Sequence, residues 1–544
     1  MTVLIGFVSD EMYVAIADAQ IEFVPAGGDT SLDVRSRASG AVWADLPPGN
    51  YTVTIAKPGF GRKTTAVEIG AGTEPVQFRL LSDESLLGYV WPKYARAGQT
   101  GELRLHVNEP FQVSLWRYGW QKEKVCDIGW FEAFAPGGDM QTIPDGDIVA
   151  SGVDWNHARF AFPPDLDLRT VTAPDRTGLY YFHVNTRSGR FTSFPWVVAP
   201  AVPTNRIAVL AANLCWNAYN DWGGRSNYVA ASRLPGRPSV NVTQESPWFR
   251  PTGAVWWTAA AYAPLSFDRP EPINAIGESD DIGDPITRTG TEHVAPGEWR
   301  LLGWLEQQGY PFDLYAESQL DEGVLDLGAY DVLILNCHPE YWTTSMYDRV
   351  KTWVQDSGGK LLYLGGNGIN CSVDIDGSAM TVQNMDLSDW LPSRSYVGEG
   401  ALMPSRFGLR HELESNLLGV GMTLTGMGTG APYSVVAPDD PVFAGTGLAR
   451  SDQFGHGFLA MRCPGGASGH ETDKRDAGTP PGTRLLAAGL NEDGGGAEFV
   501  TYSTASGGLV YSVGSINWPT SVVVDSAVAA ITRNMLDICL GTTP

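Results

Sequence analysis

Between Tyr330 and Asn367 the chain spells out one complete strand, helix and strand, a unit that commits its surroundings to a parallel sheet with helices packed on it. The apolar run Val332 to Leu335 leads into a polar knot at Asn336 to Tyr341. An amphipathic stretch follows, with Val350, Trp353 and Val354 on one face, and Gly358-Gly359 stops it. A second apolar run, Leu361 to Leu364, ends in Gly365-Gly366-Asn367. Ligands of open parallel sheets lie in the crevice beyond the carboxyl ends of the strands. His338, Glu340, Tyr341 and Asn367 are therefore expected to meet where chemistry is done.

A chain of 544 residues is too long for one core, and 43% apolar residues with 18 Trp are ample for several packed domains. The formal charge of −24 opposes nucleic acid and anionic membrane surfaces as partners, because both reward Lys and Arg clusters. A small neutral substrate suits it better. The opening MTVLIGFVSDEM has neither a basic n-region nor a long apolar core, and no run of about 18 apolar residues occurs, so a soluble, cytoplasmic protein is expected. Six widely spaced cysteines without a CxxC pair point to free thiols rather than a zinc ribbon or disulfide framework.

Residues 1–82 alternate apolar and polar in short runs such as Gln20 to Val24, Tyr51 to Ala56 and Val76 to Leu80. The segment SGAVWADLPPGNYTVTIAKPGFG, from Ser39, resembles the turn and strand of transthyretin-like and carboxypeptidase-regulatory-like β-sandwiches. A second β-sandwich is expected over 83–200, from GELRLHVNE, FQVSLWRYGW and GLYYFHVN, and the Pro-rich APAVPTN reads as a linker. From 201 to 544 the texture becomes α/β. Ile207 to Ala212 reads as a buried strand, and Glu298 to Gln308 as a helix capped by Gly309. Phe499 to Tyr502 and Gly508 to Gly514 read as adjacent strands, and Asp525 to Cys539 as a closing helix.

Four constellations carry chemistry. NLCWNAYNDWGGRSNY (Asn213 to Tyr228) reads as a loop at the carboxyl end of the first α/β strand, either part of a site or packed on the preceding sandwich. In HPEYW, a Pro fixes His338 against Glu340, a pair that suits a metal ligand with its supporting group, a general acid and base, or a buried ion pair. Cys337 follows a strand where a nucleophile can sit, but needs an imidazole facing it; His338 should point elsewhere, leaving His456 or His470. The loop from Ala467, ASGHETDKRDAGTPPG, offers His470 and Glu471.

Taken in order, NAYNDWGGRSNY, SFDRP at Ser266, HPEYW, LGGNG, SGHETD and GSINWPTS at Gly514 resemble the C-terminal catalytic domain of the large (beta) subunit of the N,N-dimethylformamidase family. The resemblance implies a glutamine-amidotransferase-like, Rossmann-like α/β fold and hydrolysis of an amide at a mononuclear Fe(III) held by two tyrosines and a glutamate. Carried onto this sequence, it implies Tyr219, Tyr262 and Glu340 as ligands, with Tyr228 competing for the second tyrosine position, and His338, Asn367 and Glu471 as the catalytic residues around them. Phenolate and carboxylate oxygens are hard donors suited to Fe(III). The family's large chain works with a separate small subunit; this chain opens with its own β module, and a homo-oligomer is the expected assembly. Two other readings stand beside this one: a hydrolase using Cys337, and a noncatalytic protein holding a carbohydrate or small ligand.

Overall fold

The computed structural model describes residues 2–11, 13–28, 30–70, 72–82, 86–133, 148–153, 170–224, 226–227, 236–240, 264–288, 290–383, 406–423 and 425–542. Three apolar clusters organise them. In the first, Tyr51, Val53 and Ile55 point inward from Gly49–Ala56 while Thr52 and Thr54 lie on the other face, the period-two pattern of a half-buried strand. That strand belongs to a four-stranded sheet which, with a three-stranded sheet around Val3–Ser9, encloses Val8, Ile21, Phe23 and Phe78. A second cluster, including Leu105, Val113, Phe182 and Trp196, lies between a three-stranded and a five-stranded sheet drawn from Leu86–Trp91 to Phe191–Ala199. Both modules are sheet packed on sheet.

The third and largest cluster surrounds a nine-stranded sheet. Its order is Phe312–Ala316, Ile207–Ala211, Val332–Cys337, Lys360–Gly365, Leu509–Ser512, Glu498–Ser503, Arg484–Gly489, Tyr433–Val435 and Gln453–Phe454. The first five run parallel and the rest antiparallel. The parallel strands Ile207–Ala211, Val332–Cys337 and Phe312–Ala316 are buried along their whole length, as expected where both faces are covered.

The helix expected from Glu298 begins at Ala295, because Pro296 in its first turn supplies a preset φ and no stranded N–H, and ends at Gln307, just before Gly309 (φ +79°). The helix of the opening unit runs Thr344–Ser357, with the Thr343 hydroxyl accepting from Met346 N and Gly358 in the left-handed region at its end. Trp299 of the first of these helices lies 5.0 Å, centroid to centroid, from Tyr118 of the second module, and Tyr118 stacks on Tyr181 at 4.3 Å. The second module thus shares a core with the α/β region rather than hanging from a linker.

Candidate active site

Three parallel strands deliver the candidate residues from their carboxyl ends. After Ile207–Ala211 the sequence reading of Asn213 onward as a loop is corrected: Asn213–Tyr219 is a buried helix. Seven residues show too little periodicity to reveal it, and its ends are held by distant groups. The buried Glu298 carboxylate accepts from Ala212 N (3.2 Å) and Trp216 Nε1 (2.6 Å), and Glu317 accepts from Leu214 N (3.4 Å). Burial pushes the Glu298 carboxyl up to about 8 against these hydrogen bonds. At the other end the fully buried Arg269, from the SFDRP motif, donates to the carbonyls of Asn217 (3.0 Å), Asn220 (3.1 Å), Trp222 (2.8 Å) and Ser266 (3.0 Å). That guanidinium fixes the turn carrying Tyr219.

The Val332–Cys337 strand ends at His338 and Glu340, both buried, and Lys360–Gly365 ends at Asn367. Tyr219 Oη donates to Glu340 Oε2 at 2.7 Å. His338 Nε2 lies 3.4 Å from Glu340 Oε2 and 3.2 Å from Glu471 Oε2, and Asn367 Nδ2 donates to Glu471 Oε2 at 2.7 Å. A Cβ at Gly366 would stand 2.5 Å from the Glu471 carbonyl, so the second glycine of LGGNG lets the two loops close on each other. Asn367 adopts φ +53°, a conformation Asn tolerates, and its backbone N–H binds Asp473 Oδ1 at 2.9 Å. Asn517, from GSINWPTS, donates its N–H to Gly469 O at 2.8 Å and so anchors the His470–Glu471 segment. Tyr219, His338, Glu340, Asn367 and Glu471 form one hydrogen-bonded group. Tyr262 and Tyr228 lie outside the described residues.

Electrostatically the group is unbalanced. Burial pushes the Glu340 carboxyl up, and the neighbouring Glu471 adds to the rise, against the cation of His338 and the Tyr219 hydrogen bond. Glu471 is also buried, yet the hydrogen bond and charge of His338, with the charge of Arg462, hold it well below the usual carboxylate range. For His338 burial favours the neutral ring, but Glu471, Glu340 and Asp473 win and raise it above the ordinary imidazole value. Burial also lifts Asp473 to about 7.

Cys337 sits at φ +60° with its thiol directed at the carbonyls of Glu292 (3.4 Å) and Ile516 (4.0 Å), and burial pushes that thiol well up. His338 faces the carboxylates instead, and His456 is exposed. All six cysteines are free, and only Cys126 is exposed.

Several neighbours escape a reading by motif. Cys215 Sγ lies 3.4 Å from His338 Nδ1, and the Cys371 thiol faces Glu340 Oε1 at 3.4 Å. The His293 ring lies 4.4 Å from that of Tyr219 and 5.1 Å from that of His338. Among the described residues two buried sets bring possible ligand atoms within 4.8 Å of one another: Cys215, His338 and Glu340, and Glu292, His293 and His470. The Glu-His pair in TEHVAPG, directly before the Ala295 helix, was the one available signal for the second set.

Residues 113–528 match the model of a family described as N,N-dimethylformamidase beta subunit-like, C-terminal. The chain belongs to this family. Residues 3–81 separately match the carboxypeptidase regulatory-like domain, in keeping with the resemblance of that segment. Two curated N,N-dimethylformamidase beta subunits align with it: that of Paracoccus aminophilus is 29% identical over 280 residues, 44% of this chain and 36% of the relative. That of an Alcaligenes species is 28% identical over 281 residues, with the same coverage of 44% and 36%. The match thus spans about a third of the length of either dimethylformamidase subunit. Among solved structures, a DUF3823 family protein from Bacteroides ovatus is 12% identical, covering 36% of this chain and 98% of its own, at a TM-score of 0.14 that bears on nothing in the fold.

Proposed function

We propose that the chain hydrolyses the C–N bond of a small neutral N-substituted amide, giving a carboxylate and an amine, at a mononuclear Fe(III) centre. The observation that carries this reading is the Tyr219–Glu340 contact at the carboxyl ends of the parallel strands, in a chain of the N,N-dimethylformamidase beta subunit-like family. The donor set fits such an ion. The phenol and carboxylate oxygens are 2.7 Å apart, close enough for both to hold one ion. They are hard donors, and the buried excess of Glu340 and Glu471 over the single base His338 favours a cation. Tyr219 and Glu340 would hold the ion with a second tyrosine, for which Tyr262 is our choice over Tyr228. Bound there, the iron would polarise the amide carbonyl and acidify a water.

The other residues handle protons and position. Glu471, 3.2 Å from His338, is placed by geometry to take a proton from water, and raised His338 suits the donor to the departing amine. Asn367 turns its nitrogen to Glu471, and its Oδ1, unpartnered among the described residues, can accept from the attacking water.

The five parallel strands, with the Ala295–Gln307 and Thr344–Ser357 helices between them in the chain, support a glutamine-amidotransferase-like core. Free thiols suit a cytoplasmic setting, and a formal charge of −24 suits an uncharged substrate and opposes nucleic acid and anionic membrane surfaces as partners. No helix of the described residues is long and apolar enough to cross a bilayer. Amine release from formamides, acetamides, lactams and anilides of increasing size tests the reading. Turnover of at least one neutral amide, lost in Tyr219→Phe, is expected; activity confined to glycosides or phosphoesters would overturn it.

A further inference from the structure

Beside the Tyr219–Glu340 group lies a second buried polar cluster that the mechanism above leaves unused. Arg462 Nη1 stands 3.1 Å from His470 Nε2 and 3.4 Å from Glu292 Oε1, while Glu292 Oε2 accepts from Gly290 N at 2.8 Å. The His293 ring joins the clusters, 5.7 Å from His470 on one side and 4.4 Å from Tyr219 on the other. A guanidinium only donates, so His470 Nε2 must accept, and a neutral ring then carries its proton on Nδ1. Burial, with the Arg462 charge, keeps the ring neutral by lowering it to about 3. His470 is 2% exposed, and its Nδ1 has no partner among the described residues. A buried donor left unmatched is costly, so a partner is expected for it.

We infer that His470 is a hydrogen-bond donor to the substrate: its Nδ1–H, oriented by Arg462 as a positioning residue and by Glu292 behind it, binds the carbonyl oxygen of the amide and holds it as negative charge develops. The bond involves no proton transfer. His470 is next in the chain to Glu471, so one segment supplies a donor for the oxygen and a base for the water. The inference rests on the amidohydrolase reading for its ligand and its kinetic consequence, but not for the tautomer.

A neutron structure of the metal-loaded protein soaked with N,N-dimethylformamide tests both. Deuterium on His470 Nδ1, none on Nε2, and the amide oxygen at hydrogen-bond distance from Nδ1 are expected; deuterium on Nε2, or an amide oxygen bound elsewhere with only water at Nδ1, would overturn the assignment. In steady state His470→Ala should lower kcat about 100-fold, the usual cost of one such donor, with KM and metal content little changed. His470→Asn, which places an amide N–H near the same point, should recover part of the loss. Full kcat in His470→Ala would overturn the role. If the wild-type protein turns over no amide, the proposed function fails, and the neutron structure still decides the donor.

Discussion

The two ends of the same parallel strands are built on opposite principles. At the amino ends, before Ile207 and Phe312, a cavity of about 600 Å³ opens between the second β module and the sheet, lined in part by Arg117, Arg176, Thr204, Asn205, Glu306 and Tyr310. Its charges are matched where they stand, two guanidiniums on two carboxylates: Arg117 reaches Glu306 at 2.8 Å, while Arg176 binds the same carboxylate and that of Glu123 at 3.2 Å. At the carboxyl ends, His338 and Glu340 are at most 1% exposed, and two carboxylates there compete for one imidazole. Space with balanced charge stabilises an interface, whereas buried charge without balance needs a further partner. The second is the stronger mark of chemistry.

The largest effect expected on this contrast is from Glu340→Ala, which should lose bound iron and at least about 10³-fold of activity, since a lost ligand empties the site without touching the core. Circular dichroism should show an unchanged fold, and a variant that keeps its iron and its turnover would make the carboxyl end as inert as the amino end. Glu471→Gln should lower kcat about 10²- to 10⁴-fold, the range of general base catalysis, with iron retained; steady-state rates alongside metal analysis check it.

A smaller effect follows from His338. Burial opposes its charge, but Glu471 and Glu340 raise it above 6.5, so its contribution to stability is complete below that value and is lost as pH rises through the raised one. Glu471, held low, contributes fully above the ordinary carboxylate value of 4.5, and that contribution is lost progressively as pH falls from there toward its lowered one. Thermal unfolding of the metal-free protein should therefore weaken on the alkaline side of 6.5 more than in His338→Gln, and parallel curves for the two would break the pairing.

Smallest of all is Arg176→Ala at the amino end. With the Arg176 side chain 54% exposed, the pair should contribute about 0–1 kcal/mol, and kcat should stay within about twofold. A large loss of activity would show that the amino-end cavity serves the reaction.

How much of this was legible follows from the range of the forces involved. HPEYW and LGGNG could be placed because local signals, apolar runs and glycines, set the strand ends that carry them. Gly309, Gly358 and the Thr344–Ser357 stripe were equally local. The Asn213–Tyr219 helix was not, since Glu298, Glu317 and Arg269 hold it from 52 to 103 residues away in the chain. Glu292 and His293 are marked only by their adjacency in TEHVAPG and Arg462 by nothing, and only the fold brings them to His470. The resemblance singled out Tyr219, which composition alone could not separate from other buried polar residues, and gave roles to Asn367 and Glu471, which the strand end and the loop from Ala467 had already offered.

The central claim is a tyrosinate-bound ferric ion at the carboxyl end, and metal analysis joined to visible absorption spectroscopy of the purified protein tests it most directly. About one iron per chain is expected, with a phenolate-to-Fe(III) charge-transfer band that weakens or shifts in Tyr219→Phe. An active, colourless protein without iron, or a band unmoved by Tyr219→Phe, would contradict it.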